Sequence, residues 1–517
     1  MCLGTAIVAS PGAKASEPLK RPNILFCLAD DVTWLHMGAY GCTWVKTPGF
    51  DRIARDGVLF THAYTPNAKC APSRSSILTG RNSWQLKEAV NHYCYFPEEF
   101  KTYAEVLGEN GYFVGSTGKG WAPGDPGRIN GKQRELTGQK FDQKKLIPPT
   151  TEISNNDYAA NFSEFLSQLP KDQPFCFWYG SLEPHRAYEF KSAMTKGGKK
   201  ISDIDKVPDF WPDNETVRTD MLDYAYELEH FDSHLEKMVA ELEKRGLLEN
   251  TIVVVTSDNG MPFPRAKGQE YEYSNHLPLA VMWKAGITNP GRKADDFISF
   301  IDLAPTFLEA AGIGQEDAKM QPISGTSFMD ILKSGKGGIV TNYRNSVLVG
   351  KERHDVGRPN DEGYPIRGIF KGDMLYLINF KTDRWPAGNP ETGYLNVDGS
   401  PTKTECIKAR KVPDLKKYWQ WSFGKRESEE LYNVKKDPFC LNNLSNDPGL
   451  TVTKEHLRRE LLDRLKDQHD PRVLGYGDIF DKYPYAGKEK GIYEKWQKGK
   501  IPVPGWINAS DMEVIDN

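Results

Sequence analysis

PNILFCLADD, residues 22–31, is an unbroken apolar run closed by two carboxylates, Asp30 and Asp31. A strand covered on both faces reads as such a run, because neither face meets water. The stretch therefore predicts a strand inside a parallel sheet. TIVVVTSDNG, residues 251–260, has the same form and closes on Asp258 and Asn259. Between the two, TPGFDRIARDG (47–57) predicts a short helix stopped at Gly57, and VLFTHAY (58–64) a strand. FKTYAEVLGENGYFVGSTGKG (100–120) gives a helix, a Gly111 stop and a strand ending at Lys119. NDYAANFSEFLSQLP (156–170) and PFCFWYGSLEPH (174–185) repeat helix then strand, the latter ending at His185. A long amphipathic helix runs from its cap near Asn214 to about Arg245. LPLAVMWK (277–284) and DLAPTFLEAAGI (302–313) complete the unit.

Strand and helix alternating over about 300 residues predict an α/β fold, a doubly wound, mostly parallel sheet flanked by helices. Ligands bind such sheets at the carboxyl ends of the strands. Four predicted strands end there in Asp30–Asp31, Lys119, His185 and Asp258–Asn259. A core strand needs none of these endings for stability, so their convergence marks a candidate active site.

After about residue 340 the pattern changes. SVLVGKERHDVG (346–357), YPIRGIFKGD (364–373), MLYLINF (374–380) and ELYNVKKDP (430–438) read as short strands, followed by the helix TVTKEHLRRELLDRLKDQHD (451–470). The expected organisation is a catalytic α/β domain over 21–340 and a smaller C-terminal α+β domain with an antiparallel sheet over 341–517. Residues 384–402 form a long Pro- and Gly-rich loop, a length that in a compact domain is usually functional or disordered. The segment from Tyr485 to Trp506 reads as a surface strap.

The chain of 517 residues carries 67 basic and 70 acidic side chains, a formal charge of −3, so charge gives no reason to expect nucleic acid as a partner. No apolar run is long enough to span a membrane. The apolar stretch Leu3–Val8 followed by Ala13-Lys14-Ala15 resembles the end of a secretory signal, with a disordered start over 1–20 as the alternative. Export to a periplasm is expected, or to a lysosome or the extracellular space in a eukaryote. The eight cysteines form no CxxC pair, which suggests neither a zinc ribbon nor a dense disulfide framework.

Asp30, Asp31, Asp258 and Asn259 offer only oxygen ligands, a set suited to Ca²⁺ or Mg²⁺ rather than zinc. They leave room for a substrate oxygen and for a group at position 70. KCAPSRSSILTGR, residues 69–81, places Cys70 at the mouth of a helix, with Pro72 favouring its first turn. Helix amides there, with Arg74, Lys119 and Lys267, would attract an anion. His185 offers proton transfer near neutral pH. Cys70 itself has three readings: a buried structural residue, a metal or redox thiol, or the precursor of something more reactive.

CAPSRSSILTGR resembles the sulfatase signature, Cys-x-Pro-Ser-Arg followed by Thr-Gly. NILFCLADD is similar to that family's first metal motif, TGK to its catalytic lysine motif, Pro184-His185 to its histidine motif and SDNG to its second metal motif. ELYNVKKDPFCLNNL resembles its C-terminal element. The resemblance implies an alkaline-phosphatase-like fold, a divalent metal, and oxidation of Cys70 to formylglycine by a formylglycine-generating or sulfatase-maturating enzyme. The aldehyde hydrate then attacks sulfur and later expels sulfate. It implies catalytic roles for Cys70, Arg74, Lys119, His185 and Lys267, and metal ligation by Asp30, Asp31, Asp258, Asn259 and the group at 70. SDNGMPFPRAK, GKERHD and YPIRG are similar to the heparan N-sulfatase (sulfamidase) branch. Two positions depart from the family's common pattern: Trp121 and Glu183 stand where histidines are frequent.

The expectation is a calcium-dependent formylglycine sulfatase acting on N-sulfated glucosamine in heparan sulfate or heparin. An O-sulfatase on a related glycan, a phosphonate or phosphodiester hydrolase, and a non-catalytic binder of sulfated glycans are the alternatives. Glu352, His354, Asp355 and Arg367 are expected to reach the sugar from the second domain; a structural ion-pair network is the competing reading.

Overall fold

The computed structural model describes residues 20–500 and 502–515. The leader expected over residues 1–20 lies, Lys20 apart, outside the described residues. Its central feature is an eight-stranded sheet of β1 (Asn23–Ala29), β2 (Val58–Tyr64), β3 (Phe113–Gly118), β4 (Gln139–Lys140), β5 (Phe175–Gly180), β6 (Thr251–Ser257), β7 (Leu279–Met282) and β8 (Arg292–Ser299). The spatial order is β8-β2-β7-β6-β1-β5-β3-β4. Every pairing is parallel except those of β7, which runs antiparallel to both β6 and β2.

The twofold alternation of side chains along each strand explains why these segments are apolar throughout. Along β1, Leu25, Cys27 and Ala29 enter one core, while Ile24, Phe26 and Leu28 enter the other. The first core is covered by α1 (Pro48–Arg55), α3 (Tyr158–Ser167) and the 30-residue α4 (Glu215–Lys244); α2 (Cys70–Thr79) and α5 (Leu303–Ala310) cover the second. Asn214 caps α4 as expected, its Oδ1 accepting the Val217 N–H at 3.0 Å. No described helix is long and apolar enough to cross a membrane.

The second sheet is antiparallel, with β9 (Ser346–Lys351), β10 (Ile366–Lys371), β11 (Met374–Asn379) and β12 (Glu429–Asn433) in that order. Through Val349, Ile366 and Phe370 one face packs on Tyr64 and Phe297 of the large sheet. Its other face packs through Leu348, Ile369 and Tyr376 on Leu457, Leu461 and Leu465 of α8 (Thr451–Asp467), the helices α6 (Pro401–Ala409) and α7 (Lys416–Phe423) lying between in sequence. The connection from β11 to β12 does not stay with this sheet. Ala387, Tyr394, Val397, Cys406 and Trp419 join the core beneath the large sheet, and α6 packs on α4. That excursion carries the 384–402 loop to the mouth of the large sheet.

Candidate active site

β6, β1, β5 and β3 are four adjacent parallel strands, so their carboxyl ends open on one edge. The four polar endings meet there. Asp31 takes a left-handed backbone, φ 79°, a conformation that aspartate tolerates better than most residues. In this turn its N–H reaches Asp258 Oδ1 at 3.1 Å, and the Val32 N–H reaches Ser257 Oγ at 2.8 Å. One oxygen from each of Asp30, Asp31 and Asp258 lies within 4.8 Å of the others, and all three residues are fully buried.

Three buried carboxylates require compensation. Lys119 Nζ donates to Asp30 Oδ2 at 2.5 Å, Lys267 Nζ to Asp31 Oδ2 at 2.7 Å, and Arg74 Nε to Asp258 Oδ2 at 2.8 Å. Burial alone would raise the Asp30 pKa, but Lys119 and Arg74 hold it well below the usual carboxylate range. At Asp258, burial and the Asp30 charge outweigh Arg74 and push the carboxyl up to about 7. Asp258 is thus less well compensated by its cationic neighbours than Asp30. Asn259 donates Nδ2–H to Asp31 Oδ1 at 2.5 Å, while its buried Oδ1 has no hydrogen-bond partner. Carboxylates with an orphaned amide oxygen fit a hard divalent cation.

Cys70 opens α2, its Sγ 3.5 Å from Asp30 Oδ1. Burial pushes its thiol up, so the sulfur is held neutral, unlike a nucleophilic cysteine.

Cys70, Asp30, Lys119, His185 and Lys267 line a cavity of about 890 Å³ at this edge. Asp31, Arg74, Asp258 and Asn259 are fully buried and do not line it. Arg74 thus departs from the expected anion ligand: Nε is held by Asp258, and Nη1 donates to the Lys119 and Gly120 carbonyls at 2.7 Å each. His185 Nδ1 lies 2.7 Å from the Arg186 carbonyl, an acceptor, so Nδ1 carries the hydrogen. Its Nε2 sits 3.9 Å from Asp31 Oδ2. Glu183 is buried and accepts from Ser154 N, Tyr158 Oη and Ser181 Oγ, and Trp121 Nε1 donates to Ser75 Oγ. Both departures from the histidine pattern are thus engaged in structural hydrogen bonds.

Of the four expected sugar-binding residues, only Asp355 lines the cavity. Arg367 pairs with Asp470 and Glu352 at 2.8 Å each, and Glu352 also with Arg472 at 2.6 Å. Strand alternation is the reason: Arg367 shares a face of β10 with Ile369, and that face meets α8, where the guanidinium lies over Trp84 and Phe480. His354 is buried, Nε2 at 2.7 Å from Asn67 Oδ1. For Glu352, His354 and Arg367 the structural network replaces the expected contact with sugar.

Other lining residues were not singled out from sequence. Asp398, from the 384–402 loop, accepts from Lys267 Nζ at 2.8 Å, and Lys267 and Lys69 hold its carboxyl far below the usual range despite burial. Lys69 pairs with Asp355 at 2.8 Å, and His92 Nδ1 approaches Asp355 Oδ1 at 2.9 Å. The loop's length was the sole sign of Asp398; Lys69 adjoins Cys70 in the quoted motif.

The chain is similar to known sulfatases in sequence and in fold. An ulvan-active sulfatase of Formosa agariphila is 29% identical over 88% of this chain and 82% of its own length. Human N-sulphoglucosamine sulphohydrolase is 26% identical over 89% of this chain and 93% of its own. A solved structure in complex with its substrate D-glucosamine-2-N,6-O-disulfate has the same fold, with a TM-score of 0.62, 19% identity, and coverage of 87% of this chain and 99% of that one. The Sulfatase family model matches residues 22–313, more than half of the sequence and the whole run from the first carboxylate pair to Lys267, and the chain belongs to the sulfatase family.

Proposed function

We propose that this sulfatase releases sulfate from N-sulfated glucosamine in heparan sulfate or heparin, using formylglycine made from Cys70 by a maturating enzyme. Export, expected from the first twenty residues, is part of the same proposal. The observation that carries it is the meeting of three buried carboxylates, Lys119, Lys267 and Cys70 at one helix mouth.

Asp30, Asp31, Asp258 and Asn259 would hold calcium, with magnesium the alternative, and the group at 70 would lie beside them. Bound there, the cation would polarise a sulfate oxygen as a Lewis acid. The formylglycine hydrate supplies the hydroxyl nucleophile of covalent catalysis. Lys119 and Lys267, both on the cavity wall, hold the anionic sulfate and keep it oriented toward position 70. Arg74 acts from behind the wall by fixing Asp258. Because the Arg186 carbonyl holds the hydrogen on His185 Nδ1, Nε2 is the atom that, once protonated, gives a proton to the departing nitrogen or oxygen. Asp355, fixed by Lys69 and His92, presents a polar wall to sugar hydroxyls or an amine.

The match to ulvan-active sulfatases favours a second reading, an O-sulfatase on a sulfated polysaccharide. Sulfate release is measured on N-, 2-O-, 3-O- and 6-O-sulfated glucosamine and uronate oligosaccharides and on ulvan fragments. Preferential release from the N-sulfated set is expected. Release confined to O-sulfates would replace the first reading with the second.

A further inference from the structure

A second cleft adjoins the catalytic cavity. Tyr93 and Trp506 line both that cavity and this cleft, of about 630 Å³. Their rings are stacked, with centroids 6.4 Å apart and planes at 27°, and Tyr485 packs against Tyr93 at 5.4 Å. Tyr95, 44% exposed, adds a fourth ring to the cleft.

Three distant segments fix these rings. The Ala486 N–H donates to the Tyr93 carbonyl at 2.7 Å, Trp506 Nε1 to the Leu395 carbonyl at 3.0 Å, and the Gly399 N–H to the Trp506 carbonyl at 2.7 Å. The expected surface strap is therefore a wall, tied to the loop that carries Asp398. Arg128, Gln133 and Lys488 stand exposed around the cleft. Arg128 Nη1 has one acceptor, the Gly131 carbonyl at 3.3 Å, and Asp125 Oδ1 is used by the Gly127 N–H at 2.9 Å.

We propose that this cleft binds the sugars adjoining the one that loses sulfate, so that an oligosaccharide lies across the Tyr93–Trp506 bridge. The proposal rests on the sulfated-glycan reading above and adds the length of chain the enzyme holds. Rigid aromatic rings present broad apolar area to the C–H faces of sugars, while their polar edges stay wet. Exposed arginine, lysine and glutamine side chains suit hydroxyls, carboxylates and further sulfates. The cleft adjoins the catalytic cavity at Tyr93 and Trp506, where a polymer would cross, whereas a monosaccharide occupies the catalytic cavity alone.

The test uses the full chain carrying Cys70→Ala, which binds without turnover. Glucosamine N-sulfate and a heparan-derived N-sulfated hexasaccharide are titrated calorimetrically, with and without the added pair Tyr95→Ala and Arg128→Ala. Both added positions are exposed, and thermal melting checks the fold. The hexasaccharide should bind about 10-fold tighter than the monosaccharide, as the Tyr95 ring and the Arg128 fork together contribute, and the double substitution should remove that advantage while leaving monosaccharide binding unchanged. Equal affinities for the two lengths, absence of binding by either, or an advantage that survives the double substitution would overturn the proposal. Sulfate release by the wild type, followed on the same two sugars, separates the two ideas: length-dependent binding without release sinks the sulfatase reading alone, and release without length dependence sinks the cleft alone.

Discussion

Arg74 donates its Nε–H to Asp258 Oδ2 at 2.8 Å, with both side chains fully buried. The guanidinium, expected to grip the substrate, instead orients a carboxylate and two backbone carbonyls behind the wall of the cavity. Arg74→Ala should destabilise the fold by about 3–5 kcal/mol, because it leaves a buried carboxylate unpaired. Arg74→Lys should recover part of that loss but little activity, since a point charge cannot replace the planar fork. Denaturant unfolding of the two variants checks this. Wild-type stability in Arg74→Ala would contradict the positioning role.

Asp31→Ala and Asp258→Ala should lose bound metal and activity together. Asp258 is raised to about 7 by burial and by the Asp30 charge, a strain a cation would relieve. Elemental analysis of the purified proteins measures it. Unchanged calcium in both variants would remove the carboxylate cluster as the metal site, and zinc in the wild type would count against a hard-cation site.

His185→Ala should slow sulfamate or sugar-sulfate hydrolysis by about 10²–10⁴ and aryl sulfate hydrolysis much less. A phenolate leaves without its proton, whereas an amine or alkoxide does not. Steady-state rates on one substrate of each kind decide the matter. Equal losses would make His185 a positioning residue.

Asp355 and Arg367, neighbours in the sequence reading, should now separate. Asp355→Ala should cost glycan hydrolysis about 10- to 100-fold while sparing a small aryl sulfate, the range for hydrogen bonds to a charged group. Arg367→Ala should lower stability by about 3–5 kcal/mol, because Asp470 and Glu352 lose their shared partner. Kinetics on both substrates with thermal melts of both variants test the pair. A selective glycan defect in a fully stable Arg367→Ala would restore the expected sugar contact.

These cases mark what the sequence made legible. PNILFCLADD and TIVVVTSDNG were readable as strands because burial on both faces leaves no polar position, and their terminal carboxylates were readable as a site because parallel strands share one carboxyl edge. The cap at Asn214 and the strands from Ser346 onward followed from local signals of the same kind. Arg367 misled because YPIRG resembles a substrate-side element of the sulfamidase branch, while its partner Asp470 lies 103 residues away. Asp398 was hidden for a different reason: its loop carries no periodicity, and its place is fixed by the packing of Tyr394 and Val397 under a sheet formed by another part of the chain. Trp506 was hidden likewise, its ring held by the Leu395 carbonyl 111 residues away.

The most direct measurement is release of inorganic sulfate from sulfated glycan oligosaccharides by wild type and Cys70→Ala, assayed side by side after each is shown to be folded. The wild type, matured to formylglycine at position 70, should release sulfate, and Cys70→Ala should release none above background. Equal release by the two proteins would contradict the covalent role of position 70 and the account built on it.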